Sequence, residues 1–427
     1  MTADQDPRSL RRRFLALIAL RWLPVGFLMP IFVLVPLSRG LSLTEIGVVF
    51  AAQGLVVLAL ELPTGGLSDA LGRRPVLLIA SGVAIVSMAL FTVADSAAMF
   101  IVAMVLQGVY RALDSGPLEA WFVDATLAAD PNAEIEHSLG RSSAVLSIAI
   151  AVGSLVSGGL VALHPIAAID PLLLPLVVAL FLHVVQPIAI GALMTEEPRP
   201  RNVDAIAASI RSVPSIIGQG LGLLRSSRVL LGLILVEASW GFAMVTFESL
   251  FPIRLSELVG GTDSAAAIMG PVGSAAWFAS AAGAAGIILV SRRIGVARSA
   301  ALLRVVQGAT VVAMGLIGGV IGVVTAYLAC YTAHGASDPM HTTLLHRQVD
   351  GPHRTTVLSM NSMIGQPAAA IGGIVLAALA DGTSVSTAMI LGGVICAAAA
   401  PLYLPALRQE RARRITAAGP EAVALAA

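Results

Sequence analysis

The chain of 427 residues is too apolar and too sparsely charged to be a soluble protein. Hydrophobic residues make up 57% of it, charged residues make up 12%, and the mean hydropathy is +0.89. A soluble domain carries about 25% charged residues, so these side chains cannot cover the surface of a soluble globule. The same composition excludes a disordered chain, which needs low hydrophobicity and high charge. Long apolar runs, rather than short alternating segments, favour a helical membrane protein over a membrane barrel.

Twelve segments are long and apolar enough to cross a bilayer as helices, each of which needs ~20 residues. In chain order they cover residues 14–37, 43–66, 75–94, 97–123, 142–163, 170–194, 229–253, 265–290, 299–319, 321–345, 356–380 and 384–406. The fourth is the least apolar because it contains Arg111, Asp114 and Glu119, each costly to insert at the centre of a membrane.

Arginine placement supports all twelve segments and orients them. The chain has 26 basic residues, all arginine. With twelve crossings, only Arg39 and Arg254 fall in loops on one side, and only Arg21, Arg111 and Arg304 fall within segments. Every other arginine then lies on the opposite side, which the positive-inside rule identifies as the cytoplasm. Both termini are therefore predicted to be cytoplasmic, in a multi-pass protein of the bacterial cytoplasmic membrane.

The longest loop divides the segments into six and six. We predict an all-α polytopic protein with an N-terminal six-helix bundle at 1–194, a cytoplasmic linker at 195–228, a C-terminal six-helix bundle at 229–406 and a cytoplasmic tail at 407–427. Apolar residues at spacings of three and four predict an amphipathic surface helix in the linker. They are Ile206, Ile210, Val213, Ile217, Leu221 and Leu224.

The two halves repeat each other. Arg141–Ser147, at the start of segment 5, matches Arg354–Ser359 at the start of segment 11. Pro117 corresponds to Pro339 and Gly72 to Gly295 at nearly the same offset. A parallel repeat of six helices places a cavity between two bundles near the middle of the membrane, opened to each side in turn.

The most specific motif follows segment 2. It runs from Glu61 to Arg74 and places two glycines, an acidic residue and an arginine pair around a short turn; the residues concerned are Gly65, Asp69, Gly72, Arg73 and Arg74. Glycines let neighbouring helices approach closely. Asp69 and the arginine pair can form charge-assisted bonds that one conformation makes and another breaks. We therefore predict a conformational latch here, against the simpler interpretation of a tight basic turn.

The same motif resembles a known signature. The pattern Gly65-x-Leu67-Ser68-Asp69-x-x-Gly72-Arg73-Arg74 is similar to the signature between helices 2 and 3 of the major facilitator superfamily. Glu61–Gly65, Ser115–Trp121 and Arg354–Ser359 resemble drug-efflux members of that superfamily. The resemblance covers essentially the full chain and implies a twelve-helix secondary transporter, proton-coupled and expelling small organic molecules. An importer or symporter is the alternative within the class, and a membrane-embedded sensor or lipid-handling protein is the alternative outside it.

Charges inside the first bundle form one candidate network. Its members are Arg21, Glu61, Arg111, Asp114 and Glu119. Arg21 and Glu61 lie at similar depths by helical rise, so we expect them to pair. Two arginines and three carboxylates in a low dielectric leave a carboxylate to exchange protons, and we expect this to be Glu119. A static network that locks the bundle is the competing interpretation.

The second half offers two further groups. Segment 10 carries His334, Asp338 and His341 on one face, which suits a proton pathway or structural hydrogen bonds, with a metal site the least expected reading. Segment 7 carries Glu237, Trp240, Phe247 and Glu248, in which carboxylates beside aromatic rings suit an organic cation in a substrate cavity.

Several classes of chemistry are excluded or not expected. A Walker-type ATPase needs a phosphate-binding lysine, and this chain has none. Cys330 and Cys396 stand alone in apolar runs, so neither a disulfide framework nor a structural zinc site is expected. We expect no enzyme activity, no cofactor and no metal, with the proton gradient as energy source. The expected partners are a small organic substrate, protons and the lipid bilayer, without nucleic acid, for a monomeric protein.

Overall fold

The structure is a computed structural model that describes residues 6–131, 133, 135–196, 211, 214–215, 218, 222–225, 227–348 and 354–417. Within these residues the chain is helical with short connections and contains no strand.

The membrane helices are numbered α1 to α12 in chain order. Three of them are composite: α1 joins Pro7–Leu28 and Leu34–Ser38, α4 joins Ala97–Asp114 and Pro117–Ala129, and α7 joins Arg228–Val245, the π-helical Thr246–Leu250 and Phe251–Val259. The continuous helices are α2 (Leu43–Leu71), α3 (Arg73–Val93), α5 (Glu136–Leu163), α6 (Leu173–Leu193), α8 (Thr262–Ile294), α9 (Val296–Leu316), α10 (Val320–His346) and α11 (Arg354–Gly382). The last, α12, joins Val385–Ala398, the 3-10 turn Ala400–Tyr403 and Leu404–Ala417.

Length and composition alone identify eleven membrane-spanning helices among the described residues, corresponding to α2–α12. The first helix is not among them because its segment Pro7–Leu28 carries five arginines. It nevertheless packs along α5 and α6 as a member of the first bundle, so the predicted twelve-helix membrane fold is confirmed. An even number of crossings puts both termini on one face, called the inner face below; its cytoplasmic location stays a prediction.

Helix packing repeats between the two halves. The pairs α1–α5, α2–α4 and α3–α6 pack in the first half, and α7–α11, α8–α10 and α9–α12 pack in the same relative order in the second. The halves meet where α2 packs on α11 and α5 packs on α8. The packing thus follows the six-plus-six repeat seen in the sequence.

The turn before α3 and the turn before α9 are also alike. Gly72 and Gly295 have φ of +90° and +94° with ψ of 159° and 157°, a backbone region that favours glycine. The carboxylate of Glu196 accepts the N–H groups of the two residues after Gly72, at 3.0 and 2.8 Å. Glu410 does the same after Gly295, at 3.2 and 2.8 Å. Each carboxylate thereby satisfies free donors at a helix N-terminus, where negative charge is favourable.

The hydrophobic core shows which end of the molecule is closed. Toward the outer face one continuous buried cluster includes residues of both halves, such as Phe27 and Phe100 with Phe251 and Met269. Toward the inner face each half has its own cluster, around Phe14 in the first and around Leu344 in the second. The two halves are therefore joined at the outer face and separate at the inner face.

Direct contacts between the halves agree with this arrangement. Gly158 of α5 and Gly270 of α8 touch so closely that a Cβ on Gly158 would lie 2.6 Å from the Gly270 Cα. Nearby, the Ser154 hydroxyl donates to the Gly270 carbonyl at 3.1 Å. At the outer ends of α2 and α11, the Thr44 N–H donates to Asp381 at 2.7 Å.

The linker helix predicted within 195–228 lies mostly outside the described residues. The first part of the predicted tail at 407–427 is helical, because α12 continues through Leu404–Ala417.

Candidate functional site

A cavity of about 510 Å³ lies between the two halves and is lined by both of them. Its wall is largely apolar and aromatic, including Trp22, Phe32, Phe50, Met244, Met269 and Trp277. Polar groups at its wall include Gln53, Gln107 and Gln366. Four charged residues also line it: Arg21, Arg111 and Asp114 from the first half, and Glu248 from the second. A mostly apolar pocket with few convergent polar groups is typical of a site for small organic molecules.

A break in α4 positions the charges of the first half. Gly116 has φ of +94°, and Pro117 begins the second part of the helix. Asp114 therefore ends the first part of α4, where it forms an ion pair with Arg21 of α1. Asp114 is only 3% exposed, so this pair is largely withdrawn from water. The break is a difference between the halves, because Pro339 at the repeat position lies inside a continuous α10.

The expected pairing of Arg21 with Glu61 is wrong. Arg21 pairs with Asp114 because α1 packs on α5, α6 and the second part of α4 rather than closely on α2, which carries Glu61. Glu61 instead faces the other half of the molecule, where its Oε1 accepts a hydrogen bond from the Ser362 hydroxyl of α11 at 3.2 Å. Its Oε2 is buried without a hydrogen-bond partner among the described residues. Glu61 of the first half thus contacts Ser362 of the second half.

Glu119, the expected proton-exchanging carboxylate, lies outside the cavity. It lies in the first turn of the second part of α4, it is exposed, and it does not line the cavity. The break at Gly116 places Glu119 at the exposed first turn of a new helix. Arg111 lines the cavity, and no ion pair joins it to another residue in the described part of the chain.

Among the described residues, Glu248 is the single acidic residue that the second half contributes to the cavity wall. It stands in the π-helical segment Thr246–Leu250 of α7, and such π-bulges often occur at functional sites. Its Oε1 accepts a hydrogen bond from the Tyr331 hydroxyl of α10 at 2.7 Å. Among the described residues no basic side chain pairs with it.

Aromatic rings surround Glu248. Tyr331 and Tyr327 line the cavity with it, and their ring centroids lie 4.8 Å apart. Phe247 packs edge-on against Tyr331 at 5.8 Å, behind the wall. A carboxylate among aromatic rings can hold an organic cation through charge and cation–π attraction.

Three residues predicted for the substrate cavity with Glu248 lie elsewhere. Phe247 is 1% exposed and does not line the cavity. Trp240 stacks on His334 with centroids 5.5 Å apart and an interplanar angle of 2°. Glu237 precedes Glu248 by eleven residues, or ~16 Å along a helix axis, and it lies in a separate cluster nearer the inner face.

That cluster belongs entirely to the second half. His341 of α10 lies 3.0 Å through Nδ1 from the Tyr403 hydroxyl of α12. Its Nε2 lies 3.1 Å from Oδ1 of Asn361 on α11 and 3.6 Å from Oε2 of Glu237 on α7. Arg304 of α9 adds a buried cation. These residues form what we call the inner polar cluster.

The three predicted residues of α10 do not act on one shared partner. His334 packs among aromatic rings, His341 is buried in the inner polar cluster, and Asp338 is exposed. No group of His, Cys, Asp and Glu within the described ranges could hold a metal ion.

The predicted latch is described in part. Arg73 forms an ion pair with Asp124 of α4 and donates to the Ala120 carbonyl at 2.8 Å. Arg74 donates to the Gly191 carbonyl of α6 at 2.6 Å. These bonds fasten the inner end of α3 to two helices of its own half. The Asp69 side chain and Gly65 lie outside the residues whose surroundings the structure describes, so the switching role of the latch stays a prediction.

Sequence reasoning missed several polar residues of the site. The sequence places Arg304 inside an apolar segment without assigning it to a site, and Asn361 likewise interrupts an apolar segment, which is a signal that could have assigned both. Tyr331, Tyr403 and Ser362 carry no such signal, because tyrosine and serine are ordinary in membrane helices and only the fold brings these side chains to their acidic or imidazole partners.

Comparison with known proteins agrees with the fold. The family model described as Major Facilitator Superfamily matches residues 14–337. The chain belongs to the Major Facilitator Superfamily. It is similar to an uncharacterized MFS-type transporter, YxaM, of Bacillus subtilis, with 28% identity over 171 residues, 40% of this chain and 41% of that protein. The chain thus matches about two fifths of the length of this curated relative.

Solved structures share the architecture across nearly the whole chain. The nucleoside transporter NupG matches with a TM-score of 0.74 and 13% identity, covering 92% of this chain and 98% of that one. A bacterial homologue of the human lysosomal transporter Spinster, in an inward-facing and occupied conformation, matches with a TM-score of 0.75 and 14% identity, covering 93% and 96%. At these identities the likeness shows the fold. As a member of a transporter family with a bacterial relative, this chain is a multi-pass protein of the cytoplasmic membrane and not an enzyme.

Proposed function

We propose that this protein is a secondary active transporter that moves small amphipathic organic molecules carrying a basic group, in exchange for protons. The observation that carries the proposal is Glu248, a carboxylate on the wall of a mostly apolar cavity whose described partner is the neutral Tyr331 hydroxyl. Export is the proposed direction, because Glu61–Gly65, Ser115–Trp121 and Arg354–Ser359 resemble efflux members of the superfamily.

The chemistry of Glu248 supports exchange. A carboxylate in an apolar site with no cation beside it is costly, and a bound proton or a bound cation relieves the cost. One carboxylate cannot satisfy both at once. A basic substrate that arrives from the inner face would displace the proton, and a proton that arrives from the outer face would displace the substrate.

The arrangement of the halves supports alternating access. The halves share a continuous core at the outer face and have separate cores at the inner face. The contacts α2–α11 and α5–α8 occupy equivalent positions in the repeat, so rocking one half against the other can close one end while it opens the other.

The test uses ethidium, a fluorescent organic cation, as the probe in inside-out membrane vesicles energised with a proton gradient. We expect the wild type to take up ethidium and to release protons from the vesicle as it does so. Glu248→Gln should abolish gradient-driven uptake. Glu119→Gln is the matched control, because that carboxylate is exposed outside the cavity, and its uptake should equal that of the wild type. Full gradient-driven uptake by Glu248→Gln would refute the proposal.

Arg111 favours a second candidate function. Its guanidinium lines the same cavity from the opposite half and has no ion-pair partner among the described residues. A cavity with a cation on one wall and an anion on the other suits a zwitterionic metabolite, which an importer or symporter would carry. Loss of uptake of radiolabelled amino acids in Arg111→Gln, with ethidium uptake absent in the wild type, would favour this candidate over the first.

A further inference from the structure

A carboxylate at the outer ends of α2 and α11 joins the two halves. Asp381 stands on α11 one residue before that helix ends at Gly382, and α2 begins at Leu43. The Leu43 N–H donates to Oδ1 of Asp381 at 3.1 Å, and the Thr44 N–H donates to Oδ2 at 2.7 Å. The Thr44 hydroxyl also donates to Oδ2. One side chain of the second half therefore accepts hydrogen bonds from the first turn of a helix in the first half.

These bonds complete the capping of α2. The first N–H groups of an α-helix have no partner within the helix. The Ser42 hydroxyl accepts the Glu45 N–H at 3.2 Å, and the Glu45 carboxylate accepts the Ser42 N–H at 2.8 Å, which is a reciprocal capping box. That box leaves the N–H groups of Leu43 and Thr44, and these are the two that Asp381 accepts. The N-terminus of α2 is thus capped partly by its own residues and partly by the opposite half.

The charge of Asp381 suits α2 and not its own helix. Negative charge is favourable near a helix N-terminus and unfavourable near a C-terminus. Asp381 lies in the last turn of α11, and that turn carries no basic residue. Its charge therefore opposes the dipole of α11 and complements the dipole of α2. The carboxylate stabilises the contact between the halves rather than the helix that carries it.

The bonds of Asp381 require the outer ends of α2 and α11 to be together. One turn deeper, a Cβ on Gly47 of α2 would lie 2.4 Å from the Gly373 carbonyl oxygen of α11. The two helices therefore touch at this end of the interface between the halves. A hydrogen bond is lost once its donor and acceptor move about 1 Å farther apart. Any motion that parts α2 from α11 at the outer face must break the bonds of Asp381.

Exposure to solvent makes the contact reversible. The Asp381 side chain is exposed and Thr44 is half-buried. When the halves separate, water replaces each partner, so the bonds contribute their net value and no buried charge is left unpaired. Hydrogen bonds to a charged group then shift an equilibrium between two conformations by about tenfold, which biases the equilibrium without locking it.

The other contact between the halves is built differently. Between α5 and α8 the glycines Gly158 and Gly270 pack closely, and the Ser154 hydroxyl donates to the Gly270 carbonyl. The N-cap residue of α8 is Gly261, which has no side-chain oxygen to act as a cap. Removing the Asp381 carboxylate therefore perturbs the α2–α11 contact and leaves the α5–α8 contact as it is.

We propose that Asp381 is an outer latch, whose bonds to Leu43 and Thr44 form when the halves close at the outer face and break when they open there. The outer latch favours the state that is closed at the outer face and open at the inner face. It therefore makes this state the resting state and presents the cavity first to the inner face. The proposal rests on the proposed function in one respect, because alternating access is the motion that the latch biases, but it holds for any substrate or coupling ion.

The test measures how readily the cavity is reached from the outer face. A cysteine introduced in place of Ser249, on the cavity wall, is treated in intact cells with a membrane-impermeant thiol reagent. Cys330 and Cys396 are buried, so the introduced cysteine takes the reagent. The reaction rate follows the fraction of protein that is open at the outer face. We expect a slow reaction with Asp381 in place and a reaction about tenfold faster in Asp381→Ala.

Graded variants relate the rate to the individual bonds. Asp381→Asn keeps one acceptor oxygen, so its rate should lie between those of the wild type and Asp381→Ala. Thr44→Val removes the hydroxyl and keeps the N–H, and it should raise the rate about threefold. Combined with Asp381→Ala it should add nothing, because the acceptor is already gone. Glu45→Gln is the matched control, since Glu45 caps the same helix from within the first half, and its rate should equal that of the wild type.

Each result counts for or against the outer latch. Equal rates in Asp381→Ala and the wild type, with both proteins monodisperse by gel filtration, would overturn it, and so would a fast reaction in the wild type. An equal acceleration in Glu45→Gln would assign the effect to fraying of α2 and would also overturn it. If Asp381→Ala aggregates, Asp381→Asn and Thr44→Val decide, and wild-type rates in both refute the latch. Absence of ethidium uptake by a protein with the expected rates would instead count against the proposed function and leave the latch standing.

Discussion

The ion pair between Arg21 and Asp114 should behave as a single buried unit. Its side chains are 16% and 5% exposed, so solvent screens the interaction little. Removing one partner leaves the other charge buried and unpaired, which typically costs about 3–5 kcal/mol. We expect Arg21→Gln and Asp114→Asn each to lower the free energy of unfolding by that amount. The double variant should lose about 1–3 kcal/mol less than the sum of the two single losses, because two neutral amides leave no unpaired charge.

The wild type, the two single variants and the double variant form a double-mutant cycle. Their stabilities can be compared by heating each protein in detergent and measuring the fraction that stays monodisperse. At about 2 °C per kcal/mol for a large chain, each single variant should unfold roughly 6–10 °C below the wild type. The control cycle is Arg21→Gln with Glu61→Gln, which should be additive because Glu61 contacts Ser362 and not Arg21. An additive result for Arg21 and Asp114, or a coupled result for Arg21 and Glu61, would contradict the pairing in the structure.

Two further predictions concern the contact between the halves and the turns at the inner face. Gly158→Val should prevent α5 and α8 from closing at the outer face, because even a Cβ there would lie 2.6 Å from the Gly270 Cα. A cysteine introduced in place of Ser249 on the cavity wall should then react with an impermeant thiol reagent added from outside. If that cysteine reacts no faster than it does without Gly158→Val, the contact is not the outer seal. Both carboxylates cap helix N-termini, so we expect a loss of about 1 kcal/mol in the free energy of unfolding from Glu196→Gln and the same loss from Glu410→Gln. If the two losses measured by thermal unfolding differ more than twofold, the two caps are not equivalent.

Composition and periodicity were sufficient for the fold. Long apolar segments and one-sided arginines predict the number of helices, and offsets such as Gly72 to Gly295 predict the repeat that the packing shows. Helix boundaries inside the segments were not predictable in the same way. The break at Gly116 and the π-helical turn around Glu248 depend on how neighbouring helices pack, and Pro339 shows that the same local sequence signal can leave a helix continuous.

Charge partners were less predictable than helices, for a geometric reason. Depth along a helix axis can be counted from the sequence, and depth alone made Arg21 and Glu61 candidates for a pair. Depth gives no information about which helices are neighbours, and α1 lies against α4 rather than closely against α2. The partner of Arg21 is therefore Asp114, which the sequence placed in the same network but passed over in favour of Glu61.

The two halves differ in how they hold their buried charges. The first half ties its central arginine to Asp114, in an ion pair that is complete in itself. In the second half Arg304 is bonded to the neutral Gln307, while Glu237 lies beside His341. The duplicated fold thus holds its buried charges by different partners in its two halves, and α8 and α11 are the helices through which the second half contacts the first.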